Sequence, residues 1–282
     1  ADSYQTGYRL AMIWAGAGAL WLAARAETTT GIYLAEAWQF SYLCMALSIS
    51  VGVVTTLLSP EPQAVLLPKA RSAGQWLQQT LIEPFADFIS RYRWQAFLIL
   101  GLIAIYRISD VVMGIMANPF YVDMGYTKDE VAAVTKVFGV IMTLVGAFLG
   151  GLLTMRFGVM RVLLLGGILS AASNLLFAWL STRGHDLNGL VWVISADNLS
   201  SGIASAAFIA YLSSLTNVQY SATQYALFSS MMLLLPKWLA GFSGVYVDTF
   251  GYEHFFIATA LIGIPVLILI MLAIRIEKTN SS

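Results

Sequence analysis

Five charged side chains lie in stretches of this sequence that are otherwise strongly apolar. They are Arg107, Asp110, Lys136, Asp197 and Lys237. A charge near the centre of a membrane-spanning helix costs about 2.5 to 3.5 kcal/mol on insertion scales. Such residues need a compensating role, so we expect them to bind a substrate or an ion, or to pair with one another.

Two of these charges are close in sequence, and a third follows a proline. Arg107 and Asp110 are three residues apart, so on a helix they share a face and can form an ion pair. That pair either locks the helix or faces a substrate, and the sequence leaves both interpretations open. Lys237 follows Pro236, which frees backbone carbonyl groups of the kind that line cavities in membrane helices. We predict that Lys237 contacts a substrate or anion; pairing with Asp110 or Asp197 for stability alone is the alternative.

Small and polar residues continue the faces on which the other two charges lie. Lys136 is followed at helical spacing by Gly139, Thr143, Gly146, Ala147 and Gly150. Asp197 and Asn198 are followed by Ser201, Gly202, Ser205 and Ala206. Such faces are typical of contacts between membrane helices, and they also suit a cavity wall. Lys136 and Asn198 are therefore candidate substrate contacts, with helix packing as the alternative.

These residues must be positioned by helices that cross a membrane. Hydrophobic residues make up 59% of the chain and charged residues 11%, whereas about a quarter of a soluble domain is charged. A spanning helix needs about 20 mostly apolar residues. Eight stretches qualify: 8–24, 36–58, 94–116, 131–155, 162–180, 190–215, 225–247 and 255–274. The sequence predicts an all-α membrane protein with eight transmembrane helices.

The long connection at residues 59–93 and its basic residues indicate the orientation of the protein in the membrane. Within it, a helix beginning at Pro84 would place Phe85, Phe88 and Ile89 on one face, as in a segment that lies on the membrane surface. A linker held loosely by lipid head groups is the alternative. Basic residues concentrate on the side of the membrane that holds this connection and both chain ends. We expect that side, including both termini, to be cytoplasmic.

Charge and motif content favour no other class of protein. The 15 basic and 15 acidic residues cancel, so no overall field attracts nucleic acid. Cys44 is the single cysteine, and His185 and His254 have no neighbour at metal-ligand spacing, so we expect no metal. The sequence has no His-Glu-x-x-His, Gly-x-Ser-x-Gly, phosphate-binding glycine loop or Cys-x-x-Cys motif. We expect no cofactor and no enzyme activity.

Several short motifs resemble those of a known transporter superfamily. The stretch 151–161, Gly-Leu-Leu-Thr-Met-Arg-Phe-Gly-Val-Met-Arg, resembles the Gly-x-x-x-Asp-Arg-x-Gly-x-Arg gating loop of the major facilitator superfamily. Gly151, Arg156, Gly158 and Arg161 match the motif, and Met155 stands at the position of its acid. Within the superfamily the chain is similar to the AmpG muropeptide permease family. The stretches that carry this resemblance are 7–10, 58–62, 83–91, 106–110, 134–139, 197–202 and 220–227.

The resemblance implies the major facilitator fold, with this chain as the last eight of twelve helices. Residues 1–58 would then hold the last two helices of the first bundle. Residues 59–93 would form the cytoplasmic central loop, and 94–282 the second six-helix bundle. It also implies proton-coupled import of anhydromuropeptides from periplasm to cytoplasm across the bacterial inner membrane, for cell-wall recycling. A related permease for acetyl-CoA or another large anion, a sensor of wall fragments that does not transport, and a membrane transferase are the alternatives.

Under this resemblance the intramembrane residues receive roles. The substrate, an anionic glycopeptide, would be bound by Arg107, Lys136, Lys237 and Asn198. Protons would be coupled through Asp110 and Asp197. Burial favours the protonated form of a carboxyl group, whereas the adjacent Arg107 opposes protonation of Asp110. Asp197 is therefore the stronger candidate for the proton carrier.

Overall fold

The computed structural model describes residues 7, 11, 14–26, 35–59, 72–217 and 220–281, and its regular elements in these ranges are helices. The chain divides into two compact units, Ala1–Leu67 and Pro68–Ser282.

The described residues of the first unit include two helices that pack side by side. A π-helical turn at Trp14–Gly18 leads into α1 (Ala19–Ala26), and α2 spans Ala35–Leu58. The hydroxyl of Ser41 donates to the Ala19 carbonyl at 2.7 Å. Ala23 and Ala37 are each 2% exposed. Small side chains at this contact let the two backbones approach closely, as is usual between membrane helices.

The second unit contains the remaining helices. It begins with α3 (Ala73–Leu77), a π-helical turn (Gln78–Ile82) and α4 (Glu83–Tyr92). Next come α5 (Gln95–Ile105), α6 (Ile108–Asp123), α7 (Lys128–Val131), a π-helical segment (Ala132–Phe138) and α8 (Gly139–Phe157). The last are α9 (Val159–Ser181), α10 (Leu187–Leu215), α11 (Ser221–Ala240) and α12 (Ser243–Ser281). Gly251, with a φ of 81°, divides α12 into two helices joined at a kink.

Six helical segments of the described residues are long and apolar enough to cross a membrane. They are Ala35–Leu58, Gln95–Asp123, Ala132–Phe157, Val159–Ser181, Leu187–Leu215 and Ser243–Ile276. The predicted span 8–24 lies partly outside the described residues. The predicted span 225–247 is helical but is interrupted by a turn at Gly241 and Phe242, between α11 and α12. The expected all-α membrane fold is confirmed.

The span formed by α5 and α6 is broken where its charges lie. Arg107 has a φ of −92° and a ψ of 7°, outside the helical region. The ring of Tyr106 stacks on Phe208 of α10 with centroids 4.5 Å apart, and its hydroxyl donates to the Leu163 carbonyl of α9 at 3.2 Å. The break is therefore anchored to two neighbouring helices.

Glycines bring α8 and α10 into close contact. A Cβ atom added to Gly146 would lie 2.3 Å from the Leu199 carbonyl oxygen, and one added to Gly202 would lie 2.4 Å from the Thr143 carbonyl oxygen. No larger residue fits at these positions without a backbone shift. The small-residue face predicted on α8 is thus a helix contact in this structure.

Helix α4 packs against α11 within the second unit. Phe88 is 2% exposed, and its ring meets the ring of Phe228 on α11 at a centroid distance of 5.1 Å. Phe85 and Ile89 stay exposed, as a face on the membrane surface would require. The sequence predicted a surface segment or a loose linker, and the structure adds a specific contact with α11.

The glycine contact predicts a stability difference between two otherwise similar substitutions. We expect Gly146→Ala to lower the free energy of unfolding by about 1 to 3 kcal/mol, because the added methyl group overpacks a backbone contact. Gly114 on α6 has open space around an added Cβ atom. Gly114→Ala should therefore leave stability unchanged or raise it slightly. Thermal unfolding in detergent compares the two variants, and equal effects would contradict the close contact.

Candidate functional site

An ion pair lies at the break between α5 and α6. The Nε atom of Arg107 is 3.4 Å from Oδ2 of Asp110. The Nη1 atom of Arg107 donates to the hydroxyl of Ser205 on α10 at 2.8 Å. The side chains of Arg107 and Asp110 are 24% and 16% exposed. The guanidinium group is therefore held between two helices, and part of the Arg107 side chain remains accessible.

Two serines of α9 bind the two acids. The hydroxyl of Ser170 donates to Oδ1 of Asp110, and the hydroxyl of Ser173 donates to Oδ1 of Asp197 at 3.1 Å. Both serines are buried, and a spacing of three residues puts them on one helix face. Asp110 and Asp197, on different helices, are thereby bonded to the same face of α9.

Asn198 lies at the glycine contact between α8 and α10. Its Oδ1 atom accepts a hydrogen bond from the Thr143 hydroxyl at 2.8 Å, and its Nδ2 atom donates to the Ile194 carbonyl at 3.0 Å. Both ends of the amide are thus bonded within the protein. In this structure Asn198 joins helices, and a contact with substrate stays a prediction.

Lys237 is an exposed cation on an apolar helix surface. Pro236 beside it is buried, whereas Leu234 and Trp238 are 75% and 63% exposed. Within the described part of the chain, the ion pairs do not include Lys237, so neither Asp110 nor Asp197 is its partner. The backbone of Lys136 belongs to the π-helical segment before α8; its side chain lies outside the described structure.

The predicted gating loop forms the tight turn between α8 and α9. Gly158 has a φ of 85°, which favours glycine, and its N–H donates to the Thr154 carbonyl at 3.0 Å. Gly151 belongs to the last turns of α8. Arg156, which lies 5.5 Å from the Phe157 ring centroid, and Arg161 are both exposed. The glycine makes the turn, and the two cations stay at the surface.

The opposite end of the unit carries a second polar cluster, outside the membrane spans. Nε2 of His185 lies 3.1 Å from Oε2 of Glu130. The backbone N–H of Thr127, and then His185, lower the pKa of Glu130 to about 2. The hydroxyl of Tyr126 donates to the Asp186 carbonyl at 3.0 Å. These contacts tie the connection after α6 to the connection before α10.

Sequence reasoning did not identify Ser170 and Ser173 as partners of the acids. The signal is nevertheless present: Gly166, Ser170, Ser173 and Asn174 are small or polar, and helical spacing puts them on one face of an otherwise apolar segment. All four are buried. A polar face on α9, set against acids on two other predicted spans, indicates an internal network.

Comparison with known protein families identifies the class of membrane protein to which this chain belongs. Residues 98–282 match the family model described as Major Facilitator Superfamily. The chain belongs to the Major Facilitator Superfamily.

Within that superfamily the chain is similar to AmpG-type proteins. It is 33% identical over 266 residues to the putative transporter AmpG 4 of Rickettsia conorii. The aligned residues cover 94% of this chain and 62% of the relative. It is 34% identical over 267 residues to the anhydromuropeptide permease of Escherichia coli K12. This alignment covers 94% of this chain and 51% of the relative. The chain therefore spans little more than half the length of these relatives. The resemblance inferred from short motifs is confirmed over nearly the whole chain.

The ion pair predicts non-additive effects of substitution. Asp110→Asn leaves the Arg107 guanidinium without its counter-charge, and Arg107→Met leaves the carboxylate without its cation. We expect either change to lower the free energy of unfolding by about 3 kcal/mol. The double variant should recover most of this loss, because neither charge then remains buried. Thermal unfolding in detergent gives the double-mutant cycle, with Arg156→Met at the exposed turn as a near-neutral control. Purely additive losses would contradict the pairing.

Proposed function

We propose that this chain is part of a secondary transporter that carries anionic glycopeptides of the muropeptide type across the bacterial inner membrane. The observation that carries the proposal is the cation held at a broken membrane helix: Arg107 is anchored by Asp110 and Ser205 and still partly exposed. In transporters, broken helices line substrate and ion sites near the middle of the membrane. The names of the two relatives, a putative transporter and an anhydromuropeptide permease, support this class of substrate.

The substrate's carboxylates would bind to the cations of the second unit. A cation with a free side binds carboxylate through charge-assisted hydrogen bonds. Part of the Arg107 side chain is exposed, and Lys237 is exposed on an apolar surface where an unpaired ammonium group is costly. A bound carboxylate would offset that cost. Lys136 and Asn198 remain proposed contacts beside them.

We further propose a proton as the coupling ion, carried by Asp197. Asp110 is balanced by Arg107, whereas the described ion pairs give Asp197 no cation. Asp197 is of intermediate exposure as a residue, and its carboxyl group accepts a hydrogen bond from the Ser173 hydroxyl. A group of this kind can gain and lose a proton during a transport cycle. Because protons flow into the cytoplasm down their gradient, coupling to them would drive import.

The transport cycle would be a rocking of two bundles about a central site, as is general for this fold. Residues 94–282 would form the second bundle, and residues 1–58 the last two helices of the first. The stretch 59–93 would join the bundles in the cytoplasm.

The proposed orientation is tested by cysteine labelling. In a chain with Cys44 replaced by serine, Thr182→Cys places a thiol at an exposed position after α9, and Ser90→Cys places one at an exposed position of α4. We expect an impermeant thiol reagent added to intact cells to label Thr182→Cys alone. Labelling of Ser90→Cys should require opened membranes. The reverse pattern would overturn the orientation.

The substrate role of Lys237 predicts a loss of affinity without a loss of folding. Lys237→Met keeps most of the apolar stem and removes the charge. In a complete transporter that carries this sequence, we expect normal membrane levels and an affinity for a labelled anhydromuropeptide about ten- to a hundredfold weaker. That loss is the weight of one charge-assisted contact of about 1.5 to 3 kcal/mol.

Two controls separate charge from packing at this position. Lys237→Arg keeps the cation and should keep affinity within about threefold, well below the weight of a lost charged contact. A neutral analogue with its carboxylates amidated should bind the Lys237→Met variant and the unmodified protein equally. Unchanged affinity for the anionic substrate would remove Lys237 from the site, and loss of the protein from the membrane would make its role structural.

A further inference from the structure

The hydroxyl of Ser173 lies within hydrogen-bond distance of two acceptors. Its Oγ atom is 2.9 Å from the Ser170 carbonyl oxygen, one turn earlier on α9, and 3.1 Å from Oδ1 of Asp197 on α10. A hydroxyl group has one proton and can also accept hydrogen bonds. Ser173 can therefore donate to only one of these oxygens at a time. Its side chain is 2% exposed, so water has little access to replace either bond.

This arrangement satisfies both protonation states of Asp197. When the carboxylate is charged, the stronger, charge-assisted bond runs from Ser173 to Asp197. When the carboxyl group is protonated, it becomes a donor, and the Ser173 oxygen accepts its proton in a hydrogen bond. The Ser173 proton then turns to the Ser170 carbonyl. Rotation of two hydroxyl protons completes the change, and no heavy atom has to move.

The groups around Asp197 do not offer a substitute for this serine. Asp110 and Arg107, both on the broken span, interact electrostatically with Asp197 without a hydrogen bond to it. Tyr121 on α6 is also close enough for such an interaction. Arg107 is already bonded to Asp110 and Ser205. Ser170, which supplies the second acceptor, gives its own hydroxyl to Asp110. Ser173 is thus the described donor placed to follow the charge of Asp197.

We propose that Ser173 is the positioning residue for proton coupling: it reverses its hydrogen bond as Asp197 gains and loses a proton. The proposal rests on the proposed function, in which Asp197 carries the proton. In each cycle one proton binds to a carboxylate oxygen of Asp197 from one side of the membrane, and one proton leaves that oxygen to the other side. Ser173 keeps its own proton throughout.

The test separates proton-driven accumulation from exchange. A complete transporter that carries this sequence is placed in proteoliposomes with a labelled anhydromuropeptide. Accumulation under an imposed proton gradient requires Asp197 to release its proton in every cycle, whereas exchange of labelled for unlabelled substrate at equal pH does not. For Ser173→Ala we expect accumulation to fall about tenfold, the weight of one hydrogen bond to a charged group. The rate of exchange by Ser173→Ala should stay within about twofold of that of the unmodified transporter, because Asp197 can keep its proton during exchange.

A matched serine controls for the loss of a hydroxyl group on the same helix. Ser181 of α9 donates to the Ala178 carbonyl three residues back, as Ser173 does to Ser170, and in the described structure that is its hydrogen bond. Ser181→Ala should leave both accumulation and exchange unchanged. An equal effect of Ser181→Ala would overturn the specific role of Ser173.

A second variant separates this inference from the proposed function. Asp197→Asn cannot carry a proton, so it should abolish accumulation and keep exchange. If Asp197→Asn still accumulates substrate, the proposed proton carrier is wrong. If Asp197→Asn loses accumulation while Ser173→Ala keeps it, the carrier stands and the role of Ser173 is refuted. Should Ser173→Ala not reach the membrane, Ser173→Cys keeps the volume and weakens the donor. It must then lower accumulation more than exchange, and equal losses would refute the proposal.

Discussion

A carboxylate within a membrane span has little water around it, so the protein must supply most of the hydrogen bonds that its charge requires. In the second unit α9 supplies them, because Ser170 and Ser173 each donate to an acid on another helix. The same requirement applies to Arg107, whose guanidinium group is held by Asp110 and Ser205. The network is therefore both a condition for inserting these charges and the place where their state can change.

The network depends on how closely the surrounding helices approach one another. A Cβ atom added to Gly166 of α9 would lie 2.8 Å from the Ala204 Cα atom of α10. Because Gly166 has no side chain, α9 and α10 approach closely there, and the short Ser173 side chain, two helical turns further along α9, reaches Asp197. Arg107, two residues after the end of α5, donates a hydrogen bond to Ser205 of α10. Small residues and one interrupted helix thus bring two pairs of polar side chains into hydrogen-bond distance: Ser173 with Asp197, and Arg107 with Ser205.

The sequence predicted the elements better than their contacts. The spans and the intramembrane charges were visible because hydropathy and charge are local properties of the chain, and the Arg107–Asp110 pair followed from a spacing of three residues. The partners Ser170 and Ser173 were missed, since serine is common in membrane helices and its partner depends on which helix lies opposite. The break before α6 was also missed: no proline marks Tyr106 and Arg107, and neighbouring helices hold the turn. Pro236, which was read as a local break, lies within α11, and the turn comes later at Gly241 and Phe242.

Two of the short motifs that carried the family resemblance contact each other in the structure, at α4. Stretches 83–91 and 220–227 meet at Gln224, which is 1% exposed. Its amide nitrogen donates to the Pro84 carbonyl and to Asp87, and its oxygen accepts from Arg91 and from the backbone N–H of Asn217. Both donors and both acceptor positions of the amide are thus in use. A buried amide that lost these bonds would be left unsatisfied, at about 1 to 3 kcal/mol for each group. Helix α4 is therefore held to α11 by polar bonds as well as by the contact between Phe88 and Phe228.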